Sequence, residues 1–338
     1  MVALDDCVRS VVISIEDLFQ QLQLQSESSN PANEAHSHPA IPRSAIPHPA
    51  IVIVDCRFSL MQPHLGRQQY EAGHLPGAYY LDLNQDLSSP VGRHGGRHPL
   101  PDPTVLADKL TAMGVTSETW VVAYDDSRFA FAARLWWLLR YLGHDRVAVL
   151  NGGWSAWQAA GLPTTTDLPL PRQGNFLPQP NLSAIVDIHR IRAGLPAIEG
   201  HQPSQAETVP PSLLIDSREA VRYRGESEPI DPVAGHIPGA INAPWQEVTD
   251  EQGFVRSLDW QRDRWHTLLG DGTEIPESSA RPEISENPEI RPEIIVYCGS
   301  GVTACVNLLS LHQVGIPAKL YPGSWSDWCS YLIEPVEI

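Results

Sequence analysis

The strongest constraint on this chain is that most of it is written twice. The stretch "IVIVDCRF" (residues 51–58) returns as "LLIDSREA" (213–220), and "YEAGHLPGAYYL" (70–81) returns as "PVAGHIPGAINA" (232–243). "WVVAYDDSRFAFAARLWWLLRYLG" (120–143) matches "IIVYCGSGVTACVNLLSLHQVG" (294–315), and "LNGGWSAW" (150–157) matches "LYPGSWSDW" (320–328). These blocks keep one order, so the chain is two copies of one domain. Its 338 residues suffice for a separate core in each.

Each copy reads alike. A helix opens it, over 15–24 in the first and 183–193 in the second. A short β-branched strand follows, ending in Asp and, two residues on, Arg (Asp55/Arg57, Asp216/Arg218). The GH[LI]PGA turn leads to another short strand. A buried-type strand comes next (120–124, 294–297), then a loop, and a long helix stopped by Gly143 or Gly315. A further strand closes the copy (147–150, 319–321). Strands alternating with helices predict an α/β fold in which each domain is a parallel sheet flanked by helices on both faces. The expected division is residues 1–162, a Pro-rich linker over 163–180, and residues 181–338. Two Pro-rich stretches, 31–50 and 275–293, read as surface insertions.

Composition narrows the function classes. The net charge of −17 argues against binding to nucleic acid or an anionic membrane. The five cysteines form no CxxC and no cluster with zinc-ligand spacing, so no metal is expected. An odd count spread over a long chain suits a reducing compartment. The first residues, MVALDDCVRS, carry acid where a leader carries base, and no apolar run approaches the roughly 18 residues of a membrane helix. The expected location is cytoplasmic.

The chemistry concentrates in "VYCGSGVTA" (296–304). Cys298 ends a strand, where open parallel sheets bind ligands. Gly299 and Gly301 let the backbone curl into a nest of amides from Gly299 through Val302 to Thr303, and the following helix adds its positive end. A thiol there should ionise readily and an anion on its sulfur should be stabilised. The repeat supplies a control, because the matching position in the first copy is Asp125, in a loop without glycines. That copy is expected to be non-catalytic. Residues shared by both copies, Asp55, Arg57, His74 and their counterparts Asp216, Arg218 and His236, are assigned to folding. Cys305 lies two helical turns beyond Cys298, about 10 Å along the axis, too far for a disulfide without rearrangement.

GHLPGA and GHIPGA, "LIDSREAVRYRG", CGSGVTA and "GSWSDW" together resemble the rhodanese superfamily, in its two-domain thiosulfate and 3-mercaptopyruvate sulfurtransferases. The resemblance covers almost the whole chain outside the two insertions. It implies that Cys298 takes a sulfane sulfur from a small-molecule donor, becomes a persulfide, and passes the sulfur to cyanide or a thiol, thioredoxin included. No cofactor is implied. The family's thiosulfate enzymes tend to carry basic residues after the cysteine, so CGSGVTA points to 3-mercaptopyruvate, with Ser300 assisting proton transfer. Thiosulfate is the alternative donor. Arg222 matches a family arginine that binds the donor anion. A second family arginine is absent, its aligned position being Ile230. The resemblance also pairs the loop serine with a histidine, here His98, and with an aspartate whose position holds Asn84, with Asp82 and Asp86 close by. His94, like His36, His38 and His48, is read as a solvated loop residue.

Three rivals are weighed. A cysteine phosphatase needs an arginine six residues after the nucleophile, where this chain has Ala304. A non-catalytic rhodanese-like binding module predicts a missing or buried thiol, whereas the second copy has the cysteine and the full loop. A redox sensor would want a resolving cysteine better placed than Cys305.

Overall fold

The computed structural model describes residues 11–28, 50–194, 212–270 and 292–333. The two insertions, Cys7, His36, His38 and His48 lie outside the described residues, apart from the last positions of each insertion.

Two sheets form, parallel throughout. The first holds β1 (Val12–Ile13), β2 (Ile51–Asp55), β3 (Tyr79–Tyr80), β4 (Trp120–Tyr124) and β5 (Val147–Leu150), in the order β1-β5-β4-β2-β3. The second holds β6 (Ser212–Asp216), β7 (Ile241–Asn242), β8 (Glu293–Tyr297) and β9 (Lys319–Leu320), in the order β7-β6-β8-β9. In each sheet the chain runs outward in both directions from one central pair, β2/β4 or β6/β8. That pair is the switch point where a crevice opens beyond the strand carboxyl ends. The registers Asp55 with Tyr124 and Asp216 with Tyr297 place the next residues, Asp125 and Cys298, at that crevice.

The strands read as apolar runs because both faces are covered. Ile51, Ile53, Val122 and Tyr124 pack with Leu18, Trp154 and Trp157 on one face. Val52, Val54, Val121 and Ala123, one residue out of phase, pack on the other with Leu106, Leu110 and Leu135. In the second sheet, Leu214, Ile295 and Tyr297 join Trp325 and Trp328, while Ile215 and Val296 face the opposite way. That second layer is continuous between the copies, because the equivalent helices Ala132–Tyr141 and Ala304–Gln313 pack against each other.

The helix expected over 183–193 is shorter than its pattern. Asn181 caps a single turn, Leu182–Ala184, and Asp187 caps a separate helix, Ile188–Ala193. Between them Ile185 bridges to Leu320 and the Val186 amide donates to its carbonyl at 2.9 Å, adding to the sheet edge as β1 does in the first copy. Residues beyond 163 run along the first domain: Thr165 bridges to His74, and the Asn181 amide donates to the Tyr141 carbonyl at 2.8 Å.

The shared residues tie turns together in the same way twice. Arg57 forks onto Asp55 and donates to the Gly73 carbonyl at 2.7 Å; Arg218 forks onto Asp216 and donates to the Gly235 carbonyl at 2.6 Å. Among the described residues no helix is long and apolar enough to cross a membrane.

Candidate active site

β8 delivers Cys298 to the carboxyl edge of the second sheet, where its side chain is buried at the floor of a cleft. Its backbone is clamped. The Cys298 amide donates to Ser324 Oγ at 3.2 Å, and its carbonyl accepts from the Trp325 amide at 3.0 Å. The two loop glycines have different reasons. Gly301 sits at φ +73°, and a Cβ there would lie 2.3 Å from the Pro322 carbonyl oxygen. Gly299 has no such backbone; a Cβ there would come within 2.9 Å of Arg97 Nη2. Only Gly301 therefore provides the curl expected of both.

Comparison of the copies shows what the loop is shaped to hold. In the first, Asp125 Oδ1 accepts from the amides of Ser127 and Phe129, and Oδ2 from those of Phe131 and Ala132, at 2.8–3.1 Å. Arg128 and Phe129 hold φ +58° and +73° there without glycine's freedom. The carboxylate is a built-in anion. Around Cys298 the amides from Gly299 to Thr303 donate to no carbonyl or side chain among the described residues. The Cys298 loop repeats the left-handed turn only at Gly301, the counterpart of Arg128, and holds a thiol where the first loop holds its carboxylate.

Side chains from the first domain complete the site. His98 Nδ1 lies 2.7 Å from Ser300 Oγ, both residues buried. Burial, then the Arg134 and Arg97 charges, push the imidazole down to about 3, so it is neutral at pH 7. Arg134, from the helix Ala132–Tyr141, is wholly buried behind the loop. It donates to the Gly301 carbonyl at 3.0 Å and the His98 carbonyl at 3.2 Å, and among the described residues no carboxylate pairs with it.

Arg222 grips Glu228 through Nη2 at 2.6 Å and Asp231 at 3.1 Å, while its guanidinium lies 3.6 Å from the Cβ position of Gly299. It is thus both paired and beside the Cys298 loop. Arg97 was not singled out in the sequence. It ion-pairs with the other oxygen of Asp231 and approaches Gly299 more closely still. Its one sequence signal is its place beside His98 in "GGRHPLP".

Val302 and Thr303 line the same cleft of roughly 550 Å³, as do Phe58 and Phe131 of the first domain and Ile230 and Trp245 of the second. Of the described cysteines only Cys298 lines it. Cys305 donates to the Gly301 carbonyl, and burial pushes its thiol up to about 12. Asn84 is exposed, and Asp82 accepts from the Asn84 and Gln85 amides in its own turn, so neither continues a relay from His98. His94 is not a solvated loop residue: Nδ1 bonds Ser330 Oγ at 2.7 Å and the ring stacks on Tyr331, joining the domains. No group of side chains able to hold a metal ion occurs among the described residues.

Comparison with known proteins identifies the family. The rhodanese-like domain family matches twice, over residues 43–160 and 201–331. A probable 3-mercaptopyruvate sulfurtransferase of Pseudomonas aeruginosa is 44% identical over 294 residues, spanning 85% of this chain and 92% of that protein. A putative thiosulfate sulfurtransferase of Mycobacterium tuberculosis is 36% identical over 288 residues, spanning 85% and 90%. The structure of 3-mercaptopyruvate sulfurtransferase from Leishmania major superposes with a TM-score of 0.65 at 30% identity, covering 88% of this chain and 76% of that one. The chain belongs to the rhodanese family and is a sulfurtransferase built from two copies of its domain.

Proposed function

We propose that the protein moves sulfur from 3-mercaptopyruvate to a thiophilic acceptor through a persulfide on Cys298. The observation that carries the donor assignment is the Ser300–His98 contact, 2.7 Å long, in a loop without a cation of its own. The Cys298 thiolate attacks the donor sulfur and forms the S–S bond. The donor's C–S bond breaks, its electron pair goes to the pyruvate enolate, and the enolate carbon takes up the proton that left the donor thiol. Ser300 relays that proton. His98, neutral and held from behind by Arg134, orients the Ser300 hydroxyl. The relay ends there, since no aspartate is hydrogen-bonded to the His98 ring among the described residues. The persulfide anion is held by the amides from Gly299 to Thr303, and Arg222 orients the donor carboxylate. An acceptor thiolate or cyanide then attacks the outer sulfur and returns Cys298 as thiolate.

The acceptor is cyanide or a thiol, and a protein dithiol such as thioredoxin fits a reaction that needs no cofactor. The free thiols at Cys56, Cys298, Cys305 and Cys329 support a cytoplasmic setting. Thiosulfate is the second reading, favoured by the two guanidiniums at Gly299, which suit a sulfonate-like end as well as a carboxylate.

The test is thiocyanate formation with each donor and cyanide, with Cys298→Ser as the blank. A kcat/KM favouring 3-mercaptopyruvate is expected. A preference for thiosulfate overturns the donor assignment, and activity in Cys298→Ser overturns the intermediate.

A further inference from the structure

We propose that Arg97, carried by the first domain, is a donor-binding residue, forming with Arg222 a two-guanidinium clamp that spans the domain interface. This rests on the sulfur-transfer reading and adds a specificity-determining residue to it.

The clamp is organised by one buried carboxylate. Asp231 Oδ1 pairs with Arg97 Nη1, and Oδ2 accepts from Arg222 Nη2 at 3.1 Å. Glu228 fixes the other side of Arg222 through Nε at 3.1 Å and Nη2 at 2.6 Å. Asp231 and Glu228 are 1% and 3% exposed in their side chains, so both guanidiniums are anchored from within the protein. Arg97 is also held at its main chain, its amide donating to Ser326 Oγ at 3.1 Å.

The nitrogens left over face the nucleophile's loop. Arg97 Nη2 and Arg222 Nη1 have no hydrogen-bond partner among the described residues. They lie 2.9 and 3.8 Å from the position a Cβ on Gly299 would take. Gly299 adjoins Cys298, so a donor whose sulfur meets that thiolate places its anionic end within reach of both. Burial and the Arg222 charge lower the Arg97 pKa, and Cys298 opposes this, as expected of cations crowded around an anion site. Ile230, at the mouth of the same cleft, supplies no charge, so the second cation enters from the opposite domain.

The test separates binding from chemistry. In Cys298→Ser protein, calorimetric titration with pyruvate and with sulfite reads the anion site without turnover. Arg97→Gln is expected to weaken both roughly ten- to a hundredfold, the range for losing a charge-assisted hydrogen bond. Arg97→Lys, which keeps the charge and loses the fork, is expected to fall between. With Cys298 intact, Arg97→Gln should raise KM for the donor by a similar factor. It should lower cyanolysis of the preloaded persulfide by much less than it lowers donor loading. Adding Ile230→Arg to Arg97→Gln should recover at least part of the loss, because it returns a guanidinium to the cleft. Unchanged anion affinity in Arg97→Gln overturns the proposal. So does an equal fall in donor loading and cyanolysis without rescue by Ile230→Arg, which would mark Arg97 as structural. If wild-type protein transfers sulfur from neither donor while Cys298→Ser still binds anions through Arg97, the clamp stands and the reaction assignment fails instead.

Discussion

Replacing Asp125 with Asn tests whether the first copy's loop is held by an internal anion. The substitution keeps shape and volume but changes one accepting oxygen into a donating NH2. Asp125 accepts four backbone N–H groups, from Ser127, Phe129, Phe131 and Ala132, and is 2% exposed. Whichever way the Asn amide is turned, two of those donors meet another donor. Losing two charge-assisted bonds costs roughly 3–6 kcal/mol. The variant also relieves part of the cost of burying a charge, the same burial that raises the Asp125 pKa against the pull of the four amides. The net loss is about 2–4 kcal/mol. For a domain of about 150 residues that lowers Tm by roughly 4–15 °C. Calorimetry and urea unfolding read this directly, and Asp125→Ala, which satisfies none of the four, should fall at or below Asp125→Asn. A loss under about 1 kcal/mol in Asp125→Asn would refute the reasoning, since a carboxylate that matters to the cradle cannot be exchanged so cheaply.

Two further outcomes follow from the same loops. The His98 pKa of about 3 lies below the ordinary 6.5, so the unfolded chain takes the proton first; its stability contribution is complete above pH 6.5 and is lost as pH falls toward 3. Between pH 7 and 5 the loss from His98 is about 2 kcal/mol, and the unfolding free energy of His98→Gln, read from urea titrations, should fall less than that of wild type over that interval by about this amount; parallel slopes would contradict it. Gly301→Ala should lose at least about 2 kcal/mol, from a left-handed backbone and a Cβ facing a fixed carbonyl. Gly299→Ala should cost less, because its Cβ meets side-chain ends (Arg97 at 2.9 Å, Arg222 at 3.6 Å) rather than backbone, and should raise donor KM instead. Equal melting temperatures for the two glycine variants would break that distinction.

What the sequence made legible follows from how local each feature is. The repeat announces two parallel sheets because the strand patterns and GH[LI]PGA turns recur within short windows. Cys298, Ser300 and Gly301 are legible because thiol, hydroxyl and turn residue fall within four positions. His98 is reached through a motif alone, and its partner is 202 residues away. Arg97 and Arg134 stay hidden for one reason: each acts on a loop of the other copy, and no pattern within a copy records a contact between copies. Arg134 reads as an ordinary helix arginine in "AARLWWLLRY", yet it is 0% exposed and bonded to the Gly301 carbonyl. His94 is misread on the same account, since its Ser330 and Tyr331 partners belong to the second domain.

The retention of a copy without a nucleophile then has a physical explanation. The first domain sends Arg97, His98 and Arg134 to the Cys298 loop. The second returns contacts: Thr249 Oγ1 accepts from Arg128 Nε of the Asp125 loop at 2.8 Å, and the Val255 amide donates at 2.8 Å to Oδ1 of Asn151, which follows β5. Duplication with the equivalent helices packed together brings each copy's anion cradle against side chains of the other. One cradle can then be filled permanently by its own Asp125, fixing the domain that carries the cations. Under the proposed function, the other is left for an anion that comes and goes on Cys298. On this reading the catalytic unit is the pair of domains, and the inactive copy is retained for the charges it lends rather than as a spacer.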